Sequence, residues 1–287
     1  MGKKKKSKGA GASKKKSQAD EAKLPDKQKM KEFMARMLDA PPRSPLQAAQ
    51  EIIYDAWDAP TRARCVALAK KALEISPDCA DAYVLLAEES ARSLDEAMEL
   101  YRKGVEAGER ALGKKTFKED VGYFWGILKT RPYMRARAGL AMCLWEAGET
   151  EEAVKHYWGM LRLNPNDNQG IRDLLMPCLI ELGRDGDAEK LFLRYKGDPM
   201  AVWRYSRALL DYRNQGDSPR ATAFLKAALS ENKHVPLYLL GRKKIPRYLP
   251  DYHGIGDENE AILYAYQNTR VWKSTPGALD WLGAHAP

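Results

Sequence analysis

No stretch of this 287-residue chain approaches the roughly 18 to 20 consecutive apolar residues that a membrane-spanning helix needs. Its lysine-rich start is not followed by an apolar signal-peptide core either, so the expected location is cytoplasmic. Met1-Gly2 lacks the Ser or Thr that a myristoylation signal wants, because Lys6 stands there and Ser7 comes one position late. Cysteine is scarce. Cys65, Cys79, Cys143 and Cys178 are widely spaced, form no C-x-x-C pair and lie in apolar helical contexts, so they read as core residues in a reducing compartment. Histidine is equally sparse: His156, His234, His253 and His285 show no convincing metal-site spacing, although His156 follows Glu152 by four residues, as is common on exposed helix faces. Gly254-x-Gly256 lacks the third glycine and the preceding strand of a dinucleotide fingerprint. No set of nucleophile, base and oxyanion donors can be assembled, which argues against an enzyme and implies neither metal nor cofactor.

Residues 1–31 contain no arginine and no aromatic side chain, but they hold twelve lysines against Asp20, Glu21 and Asp26. That imbalance equals the whole formal charge of +9, so the remainder of the chain is neutral. With little to bury, residues 1–44 are expected to form a disordered tail. Lys3, Lys4, Lys5, Lys6, Lys14, Lys15 and Lys16 would attract RNA, a ribosome or an anionic surface electrostatically, without sequence readout. A short amphipathic piece, MKEFMARML, precedes a PPRSP break, and the globular part is expected to start near Pro45.

From Pro45 onward the apolar residues recur at helical spacing, with very little strand signal. In TEEAVKHYWGMLRL, Ala153, Val154, Tyr157 and Leu161 share one face, Thr150 is a candidate N-cap, and Asn164-Pro165 ends the helix. Gly148, Gly183 and Gly216 recur at intervals of 35 and 33 residues, each followed five positions later by an alanine (Ala153, Ala188, Ala221) and then by Tyr157, Phe192 or Leu225. This is the pattern of a tetratricopeptide repeat, whose period is 34 residues. Glycine closes the first helix in a left-handed conformation, alanine lets the paired helices approach, and the bulky residue fills the gap one turn later. The same frame puts Leu140, Ala141, Leu175, Met176, Ala208 and Leu209 on packing faces. The predicted fold is therefore all-α: a helical-repeat solenoid over 45–230, followed by a Pro-rich wrap and capping helices over 231–287. Ala97 and Tyr101 fit the pattern too, but the longer interval to Ala153 implies an insertion at about 111–131, whose Tyr123, Phe124 and Trp125 are expected to pack on the array or extend a helix.

The blocks GLAMCLWEAGETEEAVKHYWGML, HVPLYLL and GDENEAILYAY, followed by Trp272, Lys273, Gly277, Ala278 and Leu279, resemble in their order the soluble C-terminal region of the suppressor of tumorigenicity 7 family. Similar bacterial tetratricopeptide proteins share the likeness, which covers roughly residues 80–282. A basic tail stands here in place of the membrane-spanning N-terminal region of the animal proteins, so a membrane location is not carried over. The resemblance implies a helical-repeat fold without known catalytic chemistry.

Such arrays bind partners on the concave face lined by the first helix of each pair. The glycine frame points Arg135, Met142, Trp145, Asp173, Trp203, Ser206, Leu210 and Arg213 into that groove, with Trp203 and Arg213 as the residue types that most often dominate interfaces. The expected function is a non-enzymatic scaffold for a protein partner, with an RNA- or ribosome-associated factor anchored by its tail as the alternative. Asp257 and Glu260 read as a reciprocal capping box. The segment HVPLYLLGRKKIPRYLPDY, with Tyr248 and Tyr252 among basic residues, reads as a closing wrap rather than a basic recognition groove.

Overall fold

The chain enters its first helix through Ser44, whose hydroxyl accepts from the Gln47 amide while the Gln47 side chain accepts from the Ser44 amide, with Pro45 in the first helical position. A computed structural model describes residues 43–286 of the protein. The lysine tail and its expected disorder lie outside the described residues. Among the described residues there are thirteen α-helices, one 3-10 turn and no strand.

Ten of the helices form five successive pairs: α1 (Pro45–Trp57) with α2 (Arg62–Ile75), α3 (Ala80–Ser90) with α4 (Leu94–Glu119), α5 (Arg131–Glu146) with α6 (Thr150–Leu163), α7 (Ile171–Glu181) with α8 (Asp185–Arg194), and α9 (Ala201–Gln215) with α10 (Pro219–Glu231). Three follow: α11 (Val235–Leu239), α12 (Glu258–Ser274) and α13 (Ala278–His285). None is long and apolar enough to cross a membrane. The repeat pattern has its predicted physical basis, because Ala153, Ala188 and Ala221 are completely buried between helices. Tyr157 and Leu225 are buried as well, whereas Phe192 is half-buried and packs edge-on against Trp203.

Two of the three glycines close their helices in the expected way. After Gly148 (φ 85°) the Glu149 amide donates back to Leu144, and after Gly183 (φ 69°) the Arg184 amide donates to Leu179. Gly216 also has positive φ, but its ψ of −155° is extended, and the chain turns through Ser218, which caps α10. Thr150 is not a cap. The tight turn at Gly148 delivers the chain directly into α6, so Thr150 becomes its first helical residue and faces the interior.

Between α4 and α5 the spacing is set by glycine. A methyl group on Gly139 would lie 2.1 Å from the Tyr101 ring, and one on Gly108 would lie 2.8 Å from the Tyr133 side chain. Helix α4 breaks at Gly113 (φ 67°, ψ 163°), makes one further stretch to Glu119, and the chain then folds over the end of α6. There the amides of Gly122 and Phe124 both donate to the carbonyl of Leu163. Phe124 is buried against Phe117 and Tyr133, Trp125 is half-buried beneath the Arg131 guanidinium, and Tyr123 is exposed.

Helix α12 crosses the first helices α7 and α9. Asp257 caps it by accepting from the Glu260 amide. Glu260 does not reach back to Asp257 as a reciprocal box requires. Its carboxylate accepts instead from the Gly256 amide, the Asn232 side chain and the Ala201 amide, each at 2.8 Å. Those partners come from three separate parts of the chain, and they turn the carboxylate away from the Asp257 amide.

Candidate functional site

On the face formed by the first helices, the Asp81 carboxylate is fully buried and lies between α1 and α5. It accepts from Gln50 Nε2 at 2.9 Å and from Arg135 Nε and Nη2 at 2.8 and 2.5 Å. The Arg135 guanidinium in turn lies 5.1 Å from the ring centroid of Trp57. A two-pronged ion pair thus joins the first helices α3 and α5, and the Gln50 hydrogen bond adds α1. Trp57 and its neighbour Tyr54 remain 43% and 53% exposed, with ring centroids 5.7 Å apart. Farther along α5, Met142 is 39% exposed and lines two depressions at once. One, of about 480 Å³, reaches Tyr101 and the turn between α3 and α4; the other, of about 350 Å³, reaches Trp145 and the Tyr266 and Arg270 side chains of α12.

The C-terminal half of this face is occupied by the chain itself. The glycine frame placed Trp203, Ser206 and Leu210 in an open groove, but all three are buried. Ser206 lies against Tyr264 of α12, and Leu210 is completely enclosed. Trp203 donates from Nε1 to Asp173 at 2.9 Å and packs edge-on against Phe192. Asp173, taken out of solvent, has its carboxyl pushed up to about 6 despite the pull of Arg172 and the Trp203 indole. Trp145 donates to Glu181 at 2.7 Å, and Arg270 of α12 both pairs with Glu181 and lies over the Trp145 ring. Arg213 holds the Ile180 carbonyl and pairs with Asp185, so it fastens α9 to the α7–α8 turn. Of the eight groove residues, Met142 alone is classed as exposed, and Arg135 keeps 30% of its side chain in solvent.

Tyr54 and Trp57 were not singled out in the sequence. The glycine frame begins at Gly148, and no matching glycine marks the first pair, so the outward aromatics of α1 had no register to reveal them. Among the described residues no group of three or more His, Cys, Asp or Glu could hold a metal ion.

The sequence model of a family described as ST7 protein matches residues 37–285. The chain belongs to the ST7 family. Similar proteins include the Protein ST7 homolog of Caenorhabditis elegans, 28% identical, covering 82% of this chain and 50% of the relative. The Suppressor of tumorigenicity 7 protein-like of Rattus norvegicus is 31% identical over 83% of this chain and 46% of its own length. The Suppressor of tumorigenicity 7 protein of Macaca fascicularis is 32% identical over 73% of this chain and 43% of its own length. This ST7-family chain therefore spans about half the length of the curated relatives it matches. Among solved structures, one described as YrrB, a TPR protein with an unusual peptide-binding site, superposes with a TM-score of 0.46 at 18% identity, covering 70% of this chain and 90% of that one.

Proposed function

We propose that this ST7-family chain is a non-catalytic scaffold that binds a segment of a protein partner on the uncovered N-terminal part of its first-helix face. The observation that carries this reading is the pairing of exposed Tyr54 and Trp57 with the depressions around Met142, on a face whose other half is filled by α12. An aromatic pair beside a charged residue that is already satisfied can bury apolar partner surface without stranding a charge, because Arg135 keeps Asp81 when Trp57 is covered. The cavity beside Met142 accepts a second anchor, and the adaptable thioether suits an apolar side chain of variable shape.

The test is affinity capture with quantitative mass spectrometry on three full-length forms: the natural chain, Tyr54→Ala with Trp57→Ala, and Met142→Glu. Partners retained by the natural chain should drop at least tenfold with either variant and persist with Lys226→Glu, an exposed change on α10. A partner profile identical across all forms refutes this placement of the site.

A further inference from the structure

Away from the first-helix face, the insertion after Gly113 helps line a cleft of about 850 Å³ where α4, the start of α5 and the end of α6 meet. Its wall is aromatic: Phe117 and Tyr133 meet edge to face with centroids 5.0 Å apart, beside the buried Leu163 whose carbonyl anchors the folded-over segment. The guanidinium of Arg137 opens into the same cleft and is half-buried. It donates to the Tyr133 hydroxyl at 2.9 Å and to His156 Nδ1 at 3.3 Å, and neither group carries a negative charge near neutral pH. Burial, and then Arg137 itself, pull the His156 pKa down, which keeps that imidazole neutral as an acceptor.

No carboxylate among the described residues pairs with Arg137, and its Nη2 has no hydrogen-bond partner there. The position is nevertheless built for it: a methyl group at Gly159 would lie 2.1 Å from Nη2, so the guanidinium occupies the space that a side chain on α6 would take. The Nη2 hydrogens are free to donate to a bound group. Lys114, Lys118 and Arg162 at the rim likewise make no ion pair among the described residues, whereas Arg110 is committed to Asp78 at 2.8 Å. Glu106 and Glu109 also line the cleft. They oppose an extended polyanion such as a nucleic acid strand more than one compact group of one or two charges.

We propose that this cleft binds a small organic anion, with a phosphate or carboxylate facing Arg137 and a flat apolar ring lying against Phe117 and Tyr133. A charge-assisted hydrogen bond from Nη2 supplies orientation and the aromatic wall supplies the body's affinity, the division of labour expected in a small-molecule site. The insertion supplies Lys114, Phe117 and Lys118 to the lining, residues that a regularly spaced repeat would not place there.

The experiment titrates the full chain calorimetrically with phenyl phosphate and benzoate, and with the ringless counterparts inorganic phosphate and acetate. At least one ring-bearing anion should bind about tenfold or more tightly than its ringless counterpart, and Arg137→Gln should abolish that preference. The lysine tail is common to every form and cancels. Equal binding with and without the ring, absence of saturation up to about 10 mM of both ring compounds, or a folded Arg137→Gln that binds as the natural chain does would each overturn the proposal. Should Arg137→Gln fail to fold, the exposed pair Lys114→Glu with Arg162→Glu decides: a tenfold loss supports the site and unchanged binding removes it.

Discussion

The carboxylate of Glu260, in α12, accepts the amide of Ala201, the first residue of α9, at 2.8 Å across 59 residues of sequence. A negative group at a helix start satisfies an amide that has no partner within the helix and complements its dipole. The same carboxylate holds Asn232, at the end of α10, and the Asn232 carbonyl accepts from the Tyr205 hydroxyl at 2.6 Å. One buried anion therefore joins the last array pair to the helix that covers it.

Replacing Glu260 by alanine strands two buried donors, the Ala201 amide and the Asn232 side chain, and one partly buried one, the Gly256 amide, with a cost of about 3 kcal/mol in unfolding free energy. Glu260→Gln retains one acceptor and should cost less. Urea unfolding monitored by circular dichroism measures both, and midpoints within error of the natural chain would show that this junction contributes nothing.

Stability should fall as pH rises from about 4 to about 6 through Asp173. Its carboxyl moves from the usual 3.8 to about 6 on folding, so in that window the folded state keeps a proton that the unfolded state has released. Below the window both states are protonated and the group contributes no penalty; above it, the folded chain carries a charge that is largely withdrawn from solvent and only partly offset by Arg172. Asp173→Asn preserves an acceptor for Trp203 and removes the titration. The stability difference between the variant and the natural chain should grow in the variant's favour by about 1 to 3 kcal/mol between pH 4 and 7. A pH-independent difference contradicts the assignment.

Trp203 and Trp57 should separate structure from recognition. Trp203→Ala opens a cavity between α9 and the α7–α8 pair, beside Phe192 and Tyr195, with an expected loss of about 3 to 5 kcal/mol. Trp57→Ala removes an exposed ring and its contact with Arg135, and should cost less than about 1 kcal/mol. Thermal unfolding of the two variants side by side measures the contrast; comparable losses would mean that Trp57 is a packing residue.

The paired helices were legible because their packing requirement is local and repeated. A small residue must sit where two helices cross, and Ala153, Ala188 and Ala221 announce that at a nearly constant interval. The groove was less legible for a different reason. Trp203, Ser206 and Arg213 lie at positions whose register can be counted, but counting does not show that Trp203 and Arg213 turn into the α7–α8 pair or that α12 meets Ser206. The docking of α12 depends on Glu260 meeting Ala201 and Asn232, and nothing within eight residues of Glu260 specifies those partners. The Arg137 cleft was hidden for the same reason: Gly159 reads as an unremarkable small residue until the guanidinium is seen resting against it.

Helix α12 also has a mechanical consequence. Stacked helix pairs that touch only their neighbours behave as a spring, because each junction can flex independently. Here a single rod is fastened to α7, α9 and the end of α10, and Arg270 extends the fastening to Trp145 on α5. The C-terminal pairs are therefore cross-braced by one rod, whereas α1 to α4 are held only by their neighbours and by the Asp81–Arg135 pair.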